Sequence, residues 1–173
     1  MRRRTWILDV DGVLNPVHIK PPTHIWRDWI EHKVTDVNTG KTFPVKIAED
    51  VIEFLIEMNM RPDVQIVWHT TWQKGANELG AKFDIPSFPV LKAPEFETWN
   101  HRSSWGWWKM PSVQRFLADT DNDVLWTDDD LAVVHPKPEH REGKILKMIA
   151  PDQYTGLTPK HLRQIREFFD AGE

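Results

Sequence analysis

The segment DVDG, residues 9–12, places two carboxylates two positions apart directly after an apolar run. The run is typical of a buried β-strand, and residues i and i+2 of a strand project to the same face. Asp9 and Asp11 are therefore expected to reach one shared ligand. Gly12 follows at once, and glycine lets the backbone turn sharply and approach a bound group closely. The sequence predicts an acidic site at the end of this strand.

Two further apolar runs also end in polar, reactive residues. The run VQIVW at 64–68 continues into the segment HTT at 69–71, and the run DVLWT at 123–127 continues into three aspartates at 128–130. In a parallel α/β sheet, ligands bind at the carboxyl ends of the strands. Because three strands end in this way, we predict one shared site.

Crowding of carboxylates at that site predicts a bound cation. At 4 Å and an effective dielectric constant of about 20, each like-charged pair costs roughly 4 kcal/mol. Asp9, Asp11, Asp128 and Asp129 offer only oxygen ligands, which suits Mg²⁺, an ion that keeps several waters and needs few carboxylates. Solvated acidic loops would explain residues 128–130 alone, but they do not explain two aspartates directly after a buried strand.

The elements that position these residues alternate between strands and helices, which indicates an α/β domain with a mostly parallel sheet. An Asn-Thr-Gly turn between alternating segments predicts a β-hairpin over residues 25–46. No repeat, linker or low-complexity segment interrupts residues 1–173, so we predict one domain. The predicted strands are 5–10, 64–68, 88–92, 123–127 and 144–150, and the predicted helices are 47–59, 73–83, 111–120 and 158–171.

Composition excludes several classes of protein. The net charge of −4 does not suit a general nucleic-acid binder. The absence of cysteine excludes disulfides, thiolate zinc sites and cysteine nucleophiles. The apolar run after the basic start breaks at Asp9, too early for a signal peptide, and no run is long enough to cross a membrane. We therefore expect a cytoplasmic location.

Four segments together resemble the motifs of the haloacid dehalogenase (HAD) superfamily, in its phosphatase branch. DVDGVLN resembles motif I, VQIVWHTTW motif II, WWKMPSVQRF motif III and VLWTDDD motif IV, in the family's order. The tail IAPDQYTGLTPKHLRQI, with WHTTW and WWK, is similar to one subgroup, the HAD domain associated with Swiss Army Knife RNA repair proteins. The resemblance implies a doubly wound Rossmannoid sheet with the hairpin as a small flap. The gap between motifs II and III is too short for a full cap domain.

The resemblance also implies catalytic roles. Asp9 would be the nucleophile that forms an aspartyl-phosphate. Asp11 would be the general acid that protonates the leaving oxygen and then the base that deprotonates water. Lys109 would balance charge on the nucleophile and the phosphoryl group, and it is preferred over Lys74 and Lys92 because it immediately precedes a predicted helix.

Ligand roles follow from the same resemblance. Mg²⁺ would be held by Asp9, the backbone carbonyl of Asp11 and Asp128, with Asp129 as a further ligand or a neighbour. The phosphoryl oxygens would be bound at motif II. The sharp turn at Gly12 would let the backbone approach the bound phosphoryl group closely.

Within motif II, two threonines compete for one role. Thr70 is the preferred side chain for a phosphoryl oxygen and the backbone amide of Thr71 the second donor, with the Thr71 side chain as the alternative. His69 is open to a structural role or to contact with substrate.

The function implied is a Mg²⁺-dependent phosphomonoester hydrolase. The lack of a full cap suggests an open site and favours RNA or DNA ends as substrates; a small-metabolite or nucleotide phosphatase is the alternative. A non-catalytic or receiver-like phosphoacceptor competes from another class, but receivers carry their phosphorylated aspartate on a different strand from the acidic pair. Neither a membrane nor a stable protein partner is implied.

Tryptophan is over-represented, with ten against one tyrosine. Four of the ten lie in the segment 99–108, beside His101 and Arg102. They are Trp99, Trp105, Trp107 and Trp108. Packing against the sheet is the simpler interpretation, and stacking of a terminal base is the alternative.

Overall fold

The structure is a computed structural model that describes residues 3–93, 107–139 and 142–171. Its elements in chain order are β1 (Arg4–Leu8), β2 (Trp29–Thr35), β3 (Thr42–Ala48), α1 (Glu49–Met60), β4 (Val64–Trp68), α2 (Gly75–Ala81), α3 (Lys109–Asp119), β5 (Asp123–Thr127), α4 (Leu131–Val134), β6 (Leu146–Ile149) and α5 (Pro159–Asp170). None of the described helices has the length and apolar character needed to cross a membrane.

Four strands form a wholly parallel sheet in the order β4-β1-β5-β6. Leu8, the last residue of β1, lies opposite Trp68 of β4 and Thr127 of β5. The three strands therefore end at the same level, and the residues that follow them share one edge of the sheet. This confirms the predicted α/β class.

Both faces of the sheet are covered, as a doubly wound fold requires. Trp6 and Leu8 pack on one face with buried residues of α1, α2 and α5, whereas Ile7 packs on the other face with buried residues of α3. All five residues of β1 are buried, which explains why Trp6, Ile7 and Leu8 form a continuous apolar run instead of alternating with polar residues.

The predicted hairpin is present. Strands β2 and β3 pair antiparallel, and the Asp36 carboxylate fixes the turn by accepting hydrogen bonds from the Asn38 N–H (3.0 Å) and the Thr39 hydroxyl (2.7 Å). Gly40 completes the turn with a positive φ of 69°. Val45 and Ile47 are fully buried and anchor the hairpin to the main core.

Among the differences from the sequence prediction, three lie close to the strand ends. β1 ends at Leu8 instead of residue 10, because the chain then turns and the Val10 carbonyl accepts three successive N–H groups from residues 13–15. The predicted strand at 88–92 is reduced to one bridge between Trp68 and Val90, next to Pro89, which has no N–H to donate. The one-turn helix α4 was not predicted.

A segment near the C-terminus packs on the loop that follows β1. The Leu157 N–H donates to the Val13 carbonyl and the Val17 N–H donates to the Gln153 carbonyl, each at 2.8 Å. A Cβ at Gly156 would lie 2.6 Å from the Val13 oxygen. Residues 152–157 therefore support the aspartate loop directly.

Candidate active site

Three carboxylates converge at the shared edge of the sheet. Asp9 follows β1, and Asp128 and Asp129 follow β5; one oxygen from each lies within 4.8 Å of the other two. The Asp9 N–H also donates to the Thr127 carbonyl at 3.2 Å, which ties the two strand ends together. The predicted meeting of the first and last aspartate segments is thus present in the structure.

Lys109 places a positive charge inside this cluster. It is the first residue of α3, is 3% exposed, and its Nζ donates to Asp9 Oδ2 and to Asp128 Oδ2, each at 2.5 Å. The two other lysines considered from the sequence, Lys74 and Lys92, are exposed. Among the three, the structure brings only Lys109 to the aspartates.

Burial governs the protonation of the cluster. Burial raises the pKa of Asp128 well above its usual value, although the Lys109 ammonium opposes that rise. Burial also raises the pKa of Asp129 to about 7, with a further increase from the charge of Asp9. Burial alone would lower the pKa of Lys109, but attraction to Asp128 and Asp9 outweighs it and the pKa is raised.

The oxygen donors of Asp9, Asp128 and Asp129 fit a hard divalent cation. Excess negative charge at a buried position is costly unless a cation offsets it, and the single Lys109 charge faces three carboxylates. The donor set therefore matches the predicted Mg²⁺ ligands, with the Asp11 side chain outside the three-carboxylate cluster.

Gly12 brings the loop after β1 against Asp129. Its φ is +74°, and an added Cβ would lie 2.3 Å from Cγ of the Asp129 side chain. The close approach expected at this glycine is therefore an approach to a carboxylate of the cluster. A side chain at this position would displace Asp129.

Asp11 is held apart from the three-carboxylate cluster by two side chains. Its Oδ1 accepts from Asn15 Nδ2 and its Oδ2 accepts from Trp72 Nε1, each at 2.8 Å. Burial raises the pKa of Asp11, and both hydrogen bonds oppose the rise. Because β1 ends at Leu8, strand pleating does not aim this side chain; Asn15 and Trp72 do.

Sequence reasoning did not single out Asn15 or Trp72. Each lies inside a segment that did carry the family resemblance, since DVDGVLN ends in Asn15 and WHTTW ends in Trp72. A polar or indole donor at the end of a segment that carries the family resemblance was the available signal.

The two motif II threonines have different surroundings. Thr70 is fully buried, and its Oγ1 accepts from the Trp72 N–H at 3.4 Å. Thr71 is partly exposed and lines the cleft described below. The choice between their side chains stays a prediction.

His69 is a structural residue. It is fully buried, with Nε2 3.0 Å from the Lys109 carbonyl and Nδ1 3.3 Å from the Leu91 carbonyl. Burial, helped by the nearby Lys109 charge, lowers its pKa to about 4. A neutral ring that donates to Lys109 fixes the first turn of α3 against the end of β4.

An open cleft of about 720 Å³ adjoins Asp11. It lies between the β2–β3 hairpin and the loop at residues 15–19. The residues that line it are Asp11, Asn15, Pro16, Val17, His18, Ile19, Asp36, Thr39, Lys41, Phe43, Pro44, Lys46, Thr71 and Trp72.

A comparison with known families covers the segments that form this site. A family model described as the HAD domain in Swiss Army Knife RNA repair proteins matches residues 6–162. The chain belongs to this family. The match spans the aspartate loop, the threonine segment, Lys109 and the supporting segment 152–157 of the HAD domain. No curated protein matches the sequence.

The tryptophan-rich segment of the HAD domain is described only in part. Trp107 and Trp108 are buried, and Trp107 stacks on Trp126 with ring centroids 5.2 Å apart. The Lys109 ammonium lies 5.6 Å from the Trp107 ring centroid and 5.7 Å from that of Trp108. These two rings pack beside Lys109 and the three-carboxylate cluster. The positions 99, 101, 102 and 105, considered for base stacking, lie outside the described residues.

Proposed function

We propose that this HAD domain is a Mg²⁺-dependent phosphatase that hydrolyses phosphomonoesters through an aspartyl-phosphate on Asp9. The observation that carries the proposal is the position of Lys109, which bridges Asp9 and Asp128 beside Asp129. A buried cation between two carboxylates can balance charge on a nucleophile and on a transferring phosphoryl group.

In the first half-reaction, a carboxylate oxygen of Asp9 attacks phosphorus. The bond between phosphorus and the leaving oxygen breaks, and Asp11 donates a proton to that oxygen. Asn15 and Trp72 hold the Asp11 carboxyl in one orientation, so that the proton is delivered from a fixed direction.

In the second half-reaction, Asp11 takes a proton from a water that attacks the phosphorus of the aspartyl-phosphate. The acyl phosphate bond breaks, inorganic phosphate leaves and Asp9 is restored. Because Asp11 gains here the proton it lost in the first half, one carboxyl serves both steps.

The remaining residues bind and orient the phosphoryl group. Thr70 and the backbone N–H of Thr71 would donate to its oxygens, and Lys109 would stay paired with Asp9. Mg²⁺, held by Asp9, Asp128 and the backbone carbonyl of Asp11 with Asp129 alongside, would supply the positive charge that the site needs to accept an anion.

We infer that the favoured substrates are the phosphorylated ends of RNA or DNA. The open cleft beside Asp11 can admit a large leaving group, and the family is the one described from RNA repair proteins. A small-metabolite phosphatase uses the same chemistry and differs only in the group that occupies the cleft.

The test is release of phosphate from 3′- and 5′-phosphorylated oligonucleotides, beside a panel of sugar phosphates and nucleotides. We expect turnover with Mg²⁺ and its loss when EDTA removes the metal. Turnover confined to the small molecules would contradict the nucleic-acid niche alone. Accumulation of a stable phosphorylated protein without turnover would favour the receiver-like alternative over a phosphatase.

A further inference from the structure

Lys46 of strand β3 is buried, and none of the described residues pairs with its charge. It is 5% exposed, and in the part of the chain that the structure describes no carboxylate lies within 4.0 Å of its ammonium. Buried ammonium groups are usually paired, because removing them from water is costly. Lys46 is therefore a positive charge available to a ligand.

The environment of Lys46 points to the substrate cleft. Lys46 and Asp11 line the same cleft, and the backbone N–H of Lys46 donates to Asn15 Oδ1 at 3.0 Å while Asn15 Nδ2 donates to Asp11. One amide side chain therefore links the strand that carries the lysine to the general acid. Asp36, another charged residue of the cleft, already accepts hydrogen bonds from the hairpin turn.

The lining of the cleft indicates what else the ligand carries. Val17, Ile19 and Phe43 line it and are exposed by 49%, 94% and 41% respectively. The Phe43 ring also meets the Trp72 ring edge to face, with centroids 6.0 Å apart. An exposed aromatic and aliphatic surface of this kind suits the flat face of a base. The volume of about 720 Å³ is in the range of pockets that bind small ligands.

We propose that Lys46 binds a second phosphate of the substrate, one nucleotide away from the phosphate that is removed. This inference rests on the proposed function, because Asp11 as general acid places the leaving group in this cleft. The substrate class is then a nucleoside unit with phosphate on both sides. That unit occurs at the phosphorylated end of a strand and in a free nucleoside 3′,5′-bisphosphate.

The sharpest experiment removes the positive charge of Lys46 from the protein and the negative charge of the adjacent linkage from the substrate. Oligonucleotides with a 3′- or 5′-terminal phosphate are made with either a phosphodiester or a neutral methylphosphonate at the adjacent linkage. The wild-type protein, Lys46→Met and the control Lys33→Met are compared by kcat/KM at constant ionic strength. Lys33 lies on the neighbouring strand of the same hairpin and is exposed.

A charge-assisted contact predicts a preference of about tenfold or more for the charged linkage in the wild-type protein. Lys46→Met should lose that preference, and Lys33→Met should keep it. Non-additivity of the two changes is the signature of direct contact. Equal rates of the wild-type protein on both linkages would overturn the proposal, as would an unchanged preference in Lys46→Met.

A binding measurement separates this proposal from the proposed function. The affinities of adenosine 3′,5′-bisphosphate and of the two monophosphates are measured by calorimetry on Asp9→Asn, with and without Lys46→Met. About tenfold tighter binding of the bisphosphate, lost with Lys46, supports the subsite whether or not turnover is found. Equal binding of all three nucleotides contradicts the subsite, even in an active phosphatase.

The same reagents identify the source of the second phosphate. A higher kcat/KM for the oligonucleotide than for adenosine 3′,5′-bisphosphate supports the subsite at a strand end. The reverse order supports the subsite in an enzyme that acts on free nucleotides. Either order counts as support only if Lys46→Met removes the preference for the second phosphate.

Discussion

The cluster at the sheet edge and the cleft beside the hairpin differ in how their charges are satisfied. In the cluster, Lys109 is paired with Asp9 and Asp128, and all three are almost fully buried. In the cleft, Lys46 has no carboxylate within reach among the described residues, and apolar side chains are exposed. In the function that we propose, the parallel strand ends supply the reaction chemistry and the antiparallel hairpin supplies recognition.

The largest effect that would test this division is at the nucleophile. Asp9→Asn should abolish turnover, a fall of about 10⁴-fold or more, because an amide cannot form the aspartyl-phosphate. The measurement is kcat for any active phosphomonoester, with folding checked by circular dichroism. Asp119→Asn, an exposed residue at the end of α3, is the matched control and should keep wild-type rates. Wild-type rates in Asp9→Asn would remove the cluster from the chemistry.

Asp11 lies at the boundary between cluster and cleft. The fall in kcat when Asp11 is replaced should depend on the leaving group of the substrate. Asp11→Asn should lower kcat about 10²- to 10⁴-fold for a sugar hydroxyl, which must be protonated as it leaves. The fall should be much smaller for p-nitrophenyl phosphate, whose leaving group needs no proton. An equal loss on both substrates would contradict the role of general acid.

Gly12 and Gly40 form a natural pair, because both have positive φ and only one touches the cluster. Alanine at either position costs about 1–2 kcal/mol of unfolding free energy through backbone strain. At Gly12 the added Cβ also collides with Asp129, whereas at Gly40 nothing lies within 4 Å. Gly12→Ala should therefore lower kcat about 10²-fold as well, and Gly40→Ala should not. Equal activities of the two variants would show that the position of Asp129 is unimportant.

His69, which packs beside the cluster, should make the free energy of unfolding sensitive to acid. Its pKa is lowered to about 4 in the folded protein and is about 6.5 in an unfolded chain. The unfolded chain thus binds the extra proton first, and stability present above pH 6.5 is lost progressively as the pH falls towards 4. The loss at this residue is about 3 kcal/mol. Urea unfolding between pH 4.5 and 7.5 should show a shallower acid loss in His69→Gln; identical slopes would contradict the buried neutral ring.

The smallest expected effect is at Trp72, whose indole N–H positions Asp11. Trp72→Phe removes the indole N–H and keeps most of the ring, so kcat should fall about tenfold with little change in KM. The loss should follow leaving-group basicity in the same direction as that of Asp11→Asn. Trp29→Phe is the control, because its indole N–H donates to the Trp26 carbonyl. A change in KM alone would indicate that Trp72 acts through the cleft.

Local sequence patterns predicted the sheet and the cluster well. Buried strands have apolar runs that are visible without a partner, and residues after parallel strands share one edge whatever the rest of the fold does. The hairpin could also be predicted locally, because its Asn-Thr-Gly residues 38–40 are typical of a turn that reverses the chain. Lys109 followed from its position at the start of a helix.

The features that were missed depend on partners far apart in the chain. The direction of Asp11 is set by Trp72, 61 positions away, and no local periodicity encodes that contact. Lys46 alternates with apolar Val45 and Ile47, a pattern that normally indicates a solvent-facing lysine. Only the packing of β3 beside Asn15 shows that this face of the strand borders a cleft.

The contacts between residues 152–157 and the loop after β1 have a practical consequence for engineering. A tag, insertion or circular permutation placed at Gly156 would press on Val13, which belongs to the same loop as Asp9. At the hairpin tip, a Cβ added at Gly40 meets nothing within 4 Å, so a graft there would leave the aspartate loop undisturbed. We therefore expect an insertion in segment 152–157 to act on the protein by displacing the aspartate loop.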